Sequence, residues 1–317
     1  MSLAISLIAP SSVTDDDAIA RGIRGLESLG VRVRCPEPLQ RPCRYLAGSR
    51  EWRLAQLHAA HDDPETQAVW AIRGGYGAAQ LLDGIDWARL AANPKPLVGY
   101  SDVTVLLDHW HRHGLPAIHG PVVKAAGGLL EAEHAADDKE TESEAASENN
   151  HEEHRVVHQQ FTETLALIQG TATLGWPTTD WPIAAWGEAP ATLSGPLVGG
   201  NLTTLASLAG TPAAFQAPPG ALVIIEDVGE PWYRLERALW QLVHGGALDR
   251  AAAVCLGTFE GCPPWGDECL EAILAATLAP LGIPLYHGLP VGHGLHNRPW
   301  RYGASGQIRL GRLSVAS

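Results

Sequence analysis

Between residues 3 and 119 the chain alternates strand-like runs with helical segments. The strand-like runs are residues 3–9, 31–34, 68–72, 96–99 and 117–119. The helical ones are residues 17–29, 50–61 and 78–82, with a further helix starting at Val103. Few folds accept that pattern. Strands joined by helices lie parallel in one sheet, and such a sheet is covered on both faces. An α/β fold with a parallel sheet is therefore expected. Ser11-Ser12 and Thr14-Asp15-Asp16 are candidate caps for the first helix, which stops at Gly30.

The run 96–99 ends in Gly99-Tyr100-Ser101-Asp102 and passes at once into a helix. A strand that turns sharply into a helix can hold a serine hydroxyl exposed beside free N–H groups. Ser101 is thus a candidate nucleophile, and a helix-capping serine is the competing reading. Position 103 is Val, so the full G-x-S-x-G elbow is absent. The loop Arg73-Gly74-Gly75-Tyr76-Gly77 also follows a strand and opens a helix. One reading is a phosphate-cradling loop, against which it lacks G-x-G-x-x-G and the P-loop pattern. Its other reading is an oxyanion hole in which N–H groups of Gly74 or Gly75, with that of Asp102, face a reacting carbonyl oxygen.

Composition changes abruptly after residue 130. Residues 131–153 hold ten acidic side chains and one basic one, Lys139, giving −10 + 1 = −9 of the chain's net −13. A segment so charged and so poor in apolar residues is expected to be a solvated insertion, drawn at 131–155. Helical spacing returns over 156–168. Trp176, Trp181 and Trp186 lie in a Trp/Pro-rich stretch, 171–190, that reads as a linker with aromatic anchors. Beyond it, strand-like and helical runs alternate again, with strands expected at 193–201, 221–226, 252–257, 283–291 and 307–310. Domains are accordingly expected at 1–170 and 191–317.

In that second unit Glu226 ends the apolar run 222–225, where sites of α/β proteins form. A carboxylate there can orient a histidine and stabilise its charged form. Alternatively, Glu226, Asp227 and Glu230 cap the helix near residue 233 or pair with Arg234 and Arg237. Of the fourteen histidines, His134, His151, His154 and His158 lie in or beside the acidic stretch, while His109, His111 and His113 fall on a helix end. His119 ends a strand near Ser101. His293 stands between Gly292 and Gly294, which let the backbone bend tightly around an imidazole. His293 and His296 at i, i+3 could also ligate a metal, but no Cys or carboxylate sits at matching spacing.

The net charge of −13 excludes a basic face for nucleic acid. Five cysteines, at 35, 43, 255, 262 and 269, form no C-x-x-C pair and no disulfide framework. The apolar start has no basic n-region, and no run reaches about 18 apolar residues, the length of a membrane span. A cytoplasmic protein without membrane association is expected.

Seven segments then occur in one order: Ile8-Ala9-Pro10-Ser11-Ser12, Arg73-Gly74-Gly75-Tyr76-Gly77, Gly99-Tyr100-Ser101-Asp102, His119-Gly120-Pro121, Gly199-Gly200-Asn201-Leu202, Glu226-Asp227-Val228-Gly229-Glu230 and Gly292-His293-Gly294. Together they resemble the LD-carboxypeptidase family, the muramoyltetrapeptide carboxypeptidases, over nearly the whole chain except the acidic stretch. The resemblance implies a parallel-sheet nucleophile domain followed by an α/β domain with a small barrel-like sheet, the active site lying in the cleft between them. It implies Ser101 as nucleophile, His293 as general base and acid, and Glu226 as its orienting carboxylate, without metal or cofactor. It implies Arg73, Tyr76, Asn201 and His296 at the substrate. The reaction implied is release of the terminal D-alanine from muropeptide tetrapeptides in cell-wall recycling, by a homodimer. The microcin C self-immunity proteins share the superfamily, so hydrolysis of a peptidyl-nucleotide is the alternative, and non-catalytic muropeptide binding a third. The acidic stretch and the added aromatics, including Trp300 and Tyr302, depart from the family pattern.

Overall fold

The computed structural model describes residues 2–130, 144–170 and 179–315. Two compact units divide at Thr171/Ala172.

In the first unit, β1 (Ala4–Ile8), β2 (Arg32–Arg34), β3 (Ala68–Ala71), β4 (Leu97–Gly99) and β5 (Ala117–His119) form a parallel sheet in the order β5-β4-β3-β1-β2. The strands run apolar because both faces are covered, and β1, β3, β4 and β5 are buried throughout. Ile5, Leu7, Trp70, Ile72, Val98 and Ile118 centre the core, against which Leu26 and Phe161 pack. Of the candidate caps, Asp15 caps α1 (Asp16–Ser28), its carboxylate accepting from Asp17 N. Ser49 caps α2 (Arg50–Asp62) in the same way. After α3 (Trp87–Ala92) comes α4 (Thr104–Arg112), which starts behind β4 and carries His109 and His111 in its last turn, as expected.

Two expectations are corrected here. Residues 78–84 form a 3-10 rather than an α-helix. The segment is confined between Gly77, at φ +117°, and Gly84, too short a run to repay α-helix nucleation. The helix expected to begin at Val156 begins at Glu144, as α5 (Glu144–Gln169). Part of the presumed solvated insertion is therefore helical, in keeping with the helix-forming Ala and Glu that open it. Its remainder, residues 131–143 with His134, lies outside the described residues, as does Trp176.

The second unit holds β6 (Thr179–Pro182), β7 (Ala184–Trp186), β8 (Thr192–Asn201), β9 (Ala221–Val228), β10 (Ala251–Glu260), β11 (Leu285–His287), the short β12 (Trp300–Arg301), β13 (Ser305–Arg309) and β14 (Arg312–Val315). Eight of them form one sheet in the order β6-β14-β13-β8-β9-β10-β11-β7. Its centre, β8 to β11, is parallel, and both flanks are antiparallel. The edge strands β6 and β7 are separated in sequence by Ile183 alone. Two edges of one sheet tied by a single residue force it to curl into a nearly closed barrel, which removes exposed edges. The helices are α6 (Leu202–Ala206), α7 (Trp232–His244) and α8 (Leu270–Leu278), and α7 buries Leu235, Leu239, Leu242 and Val243 as its spacing predicts.

The expected linker is thus corrected in part: Trp181 lies in β6, 2% exposed, and Trp186 in β7. Sequence reading took the prolines there as breakers, whereas sheet edges accept proline. The β13–β14 hairpin was missed. Its two-residue turn, Leu310-Gly311, has both φ positive, at 50° and 70°, and lacks the Asn-Gly signal usual for that turn.

Candidate active site

Ser101 follows β4 by one residue and opens the turn Ser101–Val103 that leads into α4. Its φ is +63°, the left-handed region that costs a non-glycine residue about 1–2 kcal/mol. A helix-capping serine has extended backbone and needs no such strain. Strained backbone of this kind, at the turn between a buried strand and a helix, is found where functional side chains are mounted.

The turn is packed against the glycine loop. A Cβ at Gly74 would stand 2.7 Å from Ser101 Cβ, 2.8 Å from its Oγ and 3.2 Å from Asp102 N. Gly75, at φ +115°, lies against Ser12, whose Oγ accepts from Tyr76 N at 3.0 Å. The Asp102 carboxylate is buried and accepts from Ala78 N at 2.9 Å, linking the Ser101 turn to the far end of the loop. Burial pushes its pKa up, and the hydrogen bond from the Ala78 N–H and the charge of Arg53 oppose that. Arg73 donates to Gly74 O and Val13 O, fastening the loop to the segment after β1. Tyr76 is 53% exposed beside Tyr45.

In the second unit Glu226 lies near the end of β9, fully buried, and its Oε2 is 2.6 Å from His293 Nδ1. Burial raises the Glu226 pKa, and the His293 hydrogen bond and charge pull it back. Gly292, at φ +131°, brings its backbone so close that a Cβ there would be 2.9 Å from Glu226 Oε2. Its N–H donates to Asn297 Oδ1 at 3.2 Å. Asn201 caps α6 and donates to Asp227, which also accepts from Thr203 N and Oγ1. Asp227 therefore serves α6 rather than α7, while Glu230 pairs with Arg234 as one reading expected. His296 is exposed on the same loop as His293, and among the described residues no group of three or more His, Cys, Asp and Glu could hold a metal ion. Likewise, no described helix is long and apolar enough to cross a membrane.

Residues 5–120 match the LD-carboxypeptidase N-terminal domain and residues 194–308 the LD-carboxypeptidase C-terminal domain. The murein tetrapeptide carboxypeptidase of Pseudomonas aeruginosa is 41% identical over 98% of this chain and 94% of its own length. The chain belongs to the LD-carboxypeptidase family. Ser101 falls inside the first matched domain, and Glu226 and His293 inside the second. A probable murein peptide carboxypeptidase of Bacillus subtilis is 33% identical over 91% of this chain and 83% of its own. Among solved structures, the muramoyltetrapeptide carboxypeptidase from Oxalobacter formigenes superposes with a TM-score of 0.74 at 26% identity, covering 98% of this chain and 97% of that one. The microcin C7 self-immunity protein reaches 0.80 at 18% identity, covering 100% and 96%, a likeness of fold.

Sequence reading missed a residue that shapes this LD-carboxypeptidase. Arg53, in α2 and only 2% exposed, donates to Pro10 O at 2.5 Å, Gly77 O at 2.7 Å, Gly48 O at 3.1 Å and Gln80 Oε1 at 2.6 Å. It locks the segment after β1 to the glycine loop. An arginine within Arg50-Glu51-Trp52-Arg53 reads as surface charge, so no sequence signal marks it.

Proposed function

We propose that this carboxypeptidase is of the serine type and hydrolyses the L,D-peptide bond that holds the terminal D-alanine of muropeptide tetrapeptides, in cell-wall recycling. The relatives named for murein tetrapeptide and muramoyltetrapeptide substrates support the choice of substrate. The observation that carries the chemistry is the Glu226–His293 pair. A fully buried carboxylate 2.6 Å from Nδ1 fixes the tautomer and assigns proton transfer to Nε2.

In this reading His293 takes the proton of Ser101, whose Oγ attacks the carbonyl carbon of the residue before D-alanine. The oxyanion is met by N–H groups of Asp102 and of Gly74 or Gly75. His293 then protonates the leaving amine, D-alanine departs, and water, deprotonated by His293, hydrolyses the ester on Ser101. Arg73, Tyr76, Asn201 and His296 line the substrate, and the enzyme acts in the cytoplasm as a homodimer without metal or cofactor. The test is mass spectrometry of purified muropeptide tetrapeptide incubated with wild-type enzyme and Ser101→Ala. The wild type releases D-alanine, EDTA leaves the rate unchanged, and the variant is inert but folded. Even a few per cent residual turnover by the variant removes Ser101 as nucleophile, and cleavage of a peptidyl-nucleotide in place of the tetrapeptide removes the substrate assignment.

A further inference from the structure

Strands β9 and β10 pair in parallel with Leu256 opposite Ile225 and Phe259 opposite Asp227. Between those pairs Glu226 faces two residues, Gly257 and Thr258. The extra residue is a β-bulge, and bulges re-aim side chains at the point where they interrupt a ladder. This one lies directly across from the buried carboxylate.

Both bulge residues press on the histidine loop. A Cβ at Gly257 would stand 2.3 Å from Val291 O and 3.2 Å from Glu226 Cβ, so only glycine lets β10 approach both. Thr258 N donates to Val291 O at 2.8 Å. The Thr258 hydroxyl donates to the same oxygen at 3.3 Å and accepts from Gly294 N at 3.3 Å. One hydroxyl thus spans the loop from the residue before Gly292 to the residue after His293. The loop is drawn so tightly over it that a Cβ at Gly292 would stand 2.4 Å from Thr258 Oγ1.

We infer that Thr258, presented by the Gly257–Thr258 bulge, is the positioning residue that holds His293 in line with Glu226 for proton transfer. The bulge sets two things at once. It fixes β10 against the stem of Glu226, and it turns the Thr258 hydroxyl into the centre of the loop that carries the imidazole. Without that hydroxyl, Gly294 N loses its link to β10 while Val291 O keeps only the Thr258 N–H, so the loop after His293 is untied and the Nδ1–Oε2 geometry is free to relax. The inference deepens the proposed Ser101–Glu226–His293 chemistry and rests on it.

The test compares Thr258→Val, which keeps the shape and removes the hydroxyl, with Thr258→Ser, which keeps the hydroxyl. Expected for Thr258→Val is a loss of about 10- to 100-fold in kcat with KM little changed, because a misplaced catalytic group costs rate rather than binding. Its pH–rate profile shifts, and the downfield NMR signal of the His293 Nδ1 proton moves or broadens. Thr258→Ser retains wild-type kcat, pH profile and proton signal. Thr258→Ala supplies a second hydroxyl-free variant should the valine fail to fold. A valine or alanine variant with wild-type kcat and an unmoved Nδ1 proton overturns the inference, as does a serine variant impaired as badly as the valine. The two levels fail separately. An active Ser101→Ala enzyme removes the catalytic reading, whereas the imidazole proton reports on the loop whichever residue is the nucleophile.

Discussion

Replacing Gly74 by alanine tests the role proposed for the Ser101 turn more sharply than replacing Ser101 itself. Gly74 is not among the glycines with positive φ, so an alanine can adopt its backbone, and the whole effect comes from one methyl group. That methyl would lie 2.7 Å from Ser101 Cβ, where ordinary contact begins at 3.4 Å, an overlap of 3.4 − 2.7 = 0.7 Å. Ser101 already sits at φ +63°, so the turn has little freedom to yield, and the hydroxyl and the Asp102 N–H must move together. Overpacking of this size typically costs about 1–3 kcal/mol of stability, which a chain of two compact units can absorb. Displacing a reacting group by nearly 1 Å is far more costly to rate, on the order of 100-fold, or about 2.7 kcal/mol of barrier. The assay is kcat for D-alanine release, read beside thermal melting. Gly30→Ala is the control. Gly30 has φ +77° with nothing within 4 Å of a built Cβ, so it costs stability of about 1 kcal/mol through backbone strain and leaves kcat unchanged. A Gly74→Ala enzyme that melts lower yet keeps kcat within about twofold of wild type, well short of the loss expected from displacement, would show that the contact with Ser101 is irrelevant to catalysis.

Three further outcomes are expected. Glu226→Gln lowers kcat by up to about 10⁴, the loss known for the equivalent change in a serine triad. Because burial raises the Glu226 pKa, its ionisation opposes folding as pH climbs through that raised value. The variant is therefore no less stable than wild type at neutral pH, and denaturant melts check this. Asp108, 4% exposed in α4, is raised from 3.8 to about 6 by burial, against the pull of Arg112. A shift of 6 − 3.8 = 2.2 units corresponds to about 3 kcal/mol of folding free energy lost between pH 3.8 and above 6. Asp108→Asn is accordingly more stable than wild type at pH 8, with the gain vanishing near pH 4, and a pH-independent difference would refute the burial argument. Arg53→Met leaves Pro10 O without its buried donor and Gly77 O with only the Gln80 N–H, costing about 3 kcal/mol by denaturant melts and lowering kcat through the glycine loop.

Local chemistry made much of this legible. The strands of the first unit announce themselves because a doubly covered parallel sheet needs continuous apolar runs, and β1, β3, β4 and β5 have them. Ser101, Glu226 and His293 stand out because each sits where a regular run meets glycine or a turn. What stayed hidden depends on partners remote in sequence. Strands β6 and β7 are short, carry proline or alanine, and become strands only through β14 and β11. Arg53 is distinguished from Arg50 by burial alone. The bulge at Gly257–Thr258 is a mismatch between two strands, and neither strand's sequence contains it.

The missing fifth-position glycine of the serine motif has a physical explanation in the same contacts. In a G-x-S-x-G elbow both glycines allow strand and helix to pack closely around the serine. Here the close approach comes from one side. A Cβ at Gly99 would be 2.8 Å from Val103 Cγ1, so the valine side chain fills the space above the strand that glycine vacates. Val103 is fully buried there. The helix therefore needs bulk at 103 where the elbow has glycine, and the strand supplies the room. Relief of crowding at Ser101 has moved to a different chain segment, Gly74, whose absent side chain leaves space for the hydroxyl. The elbow's two glycines and this chain's Gly74 and Gly99 are two solutions to one steric problem, which is why a motif written for a single segment does not find this serine.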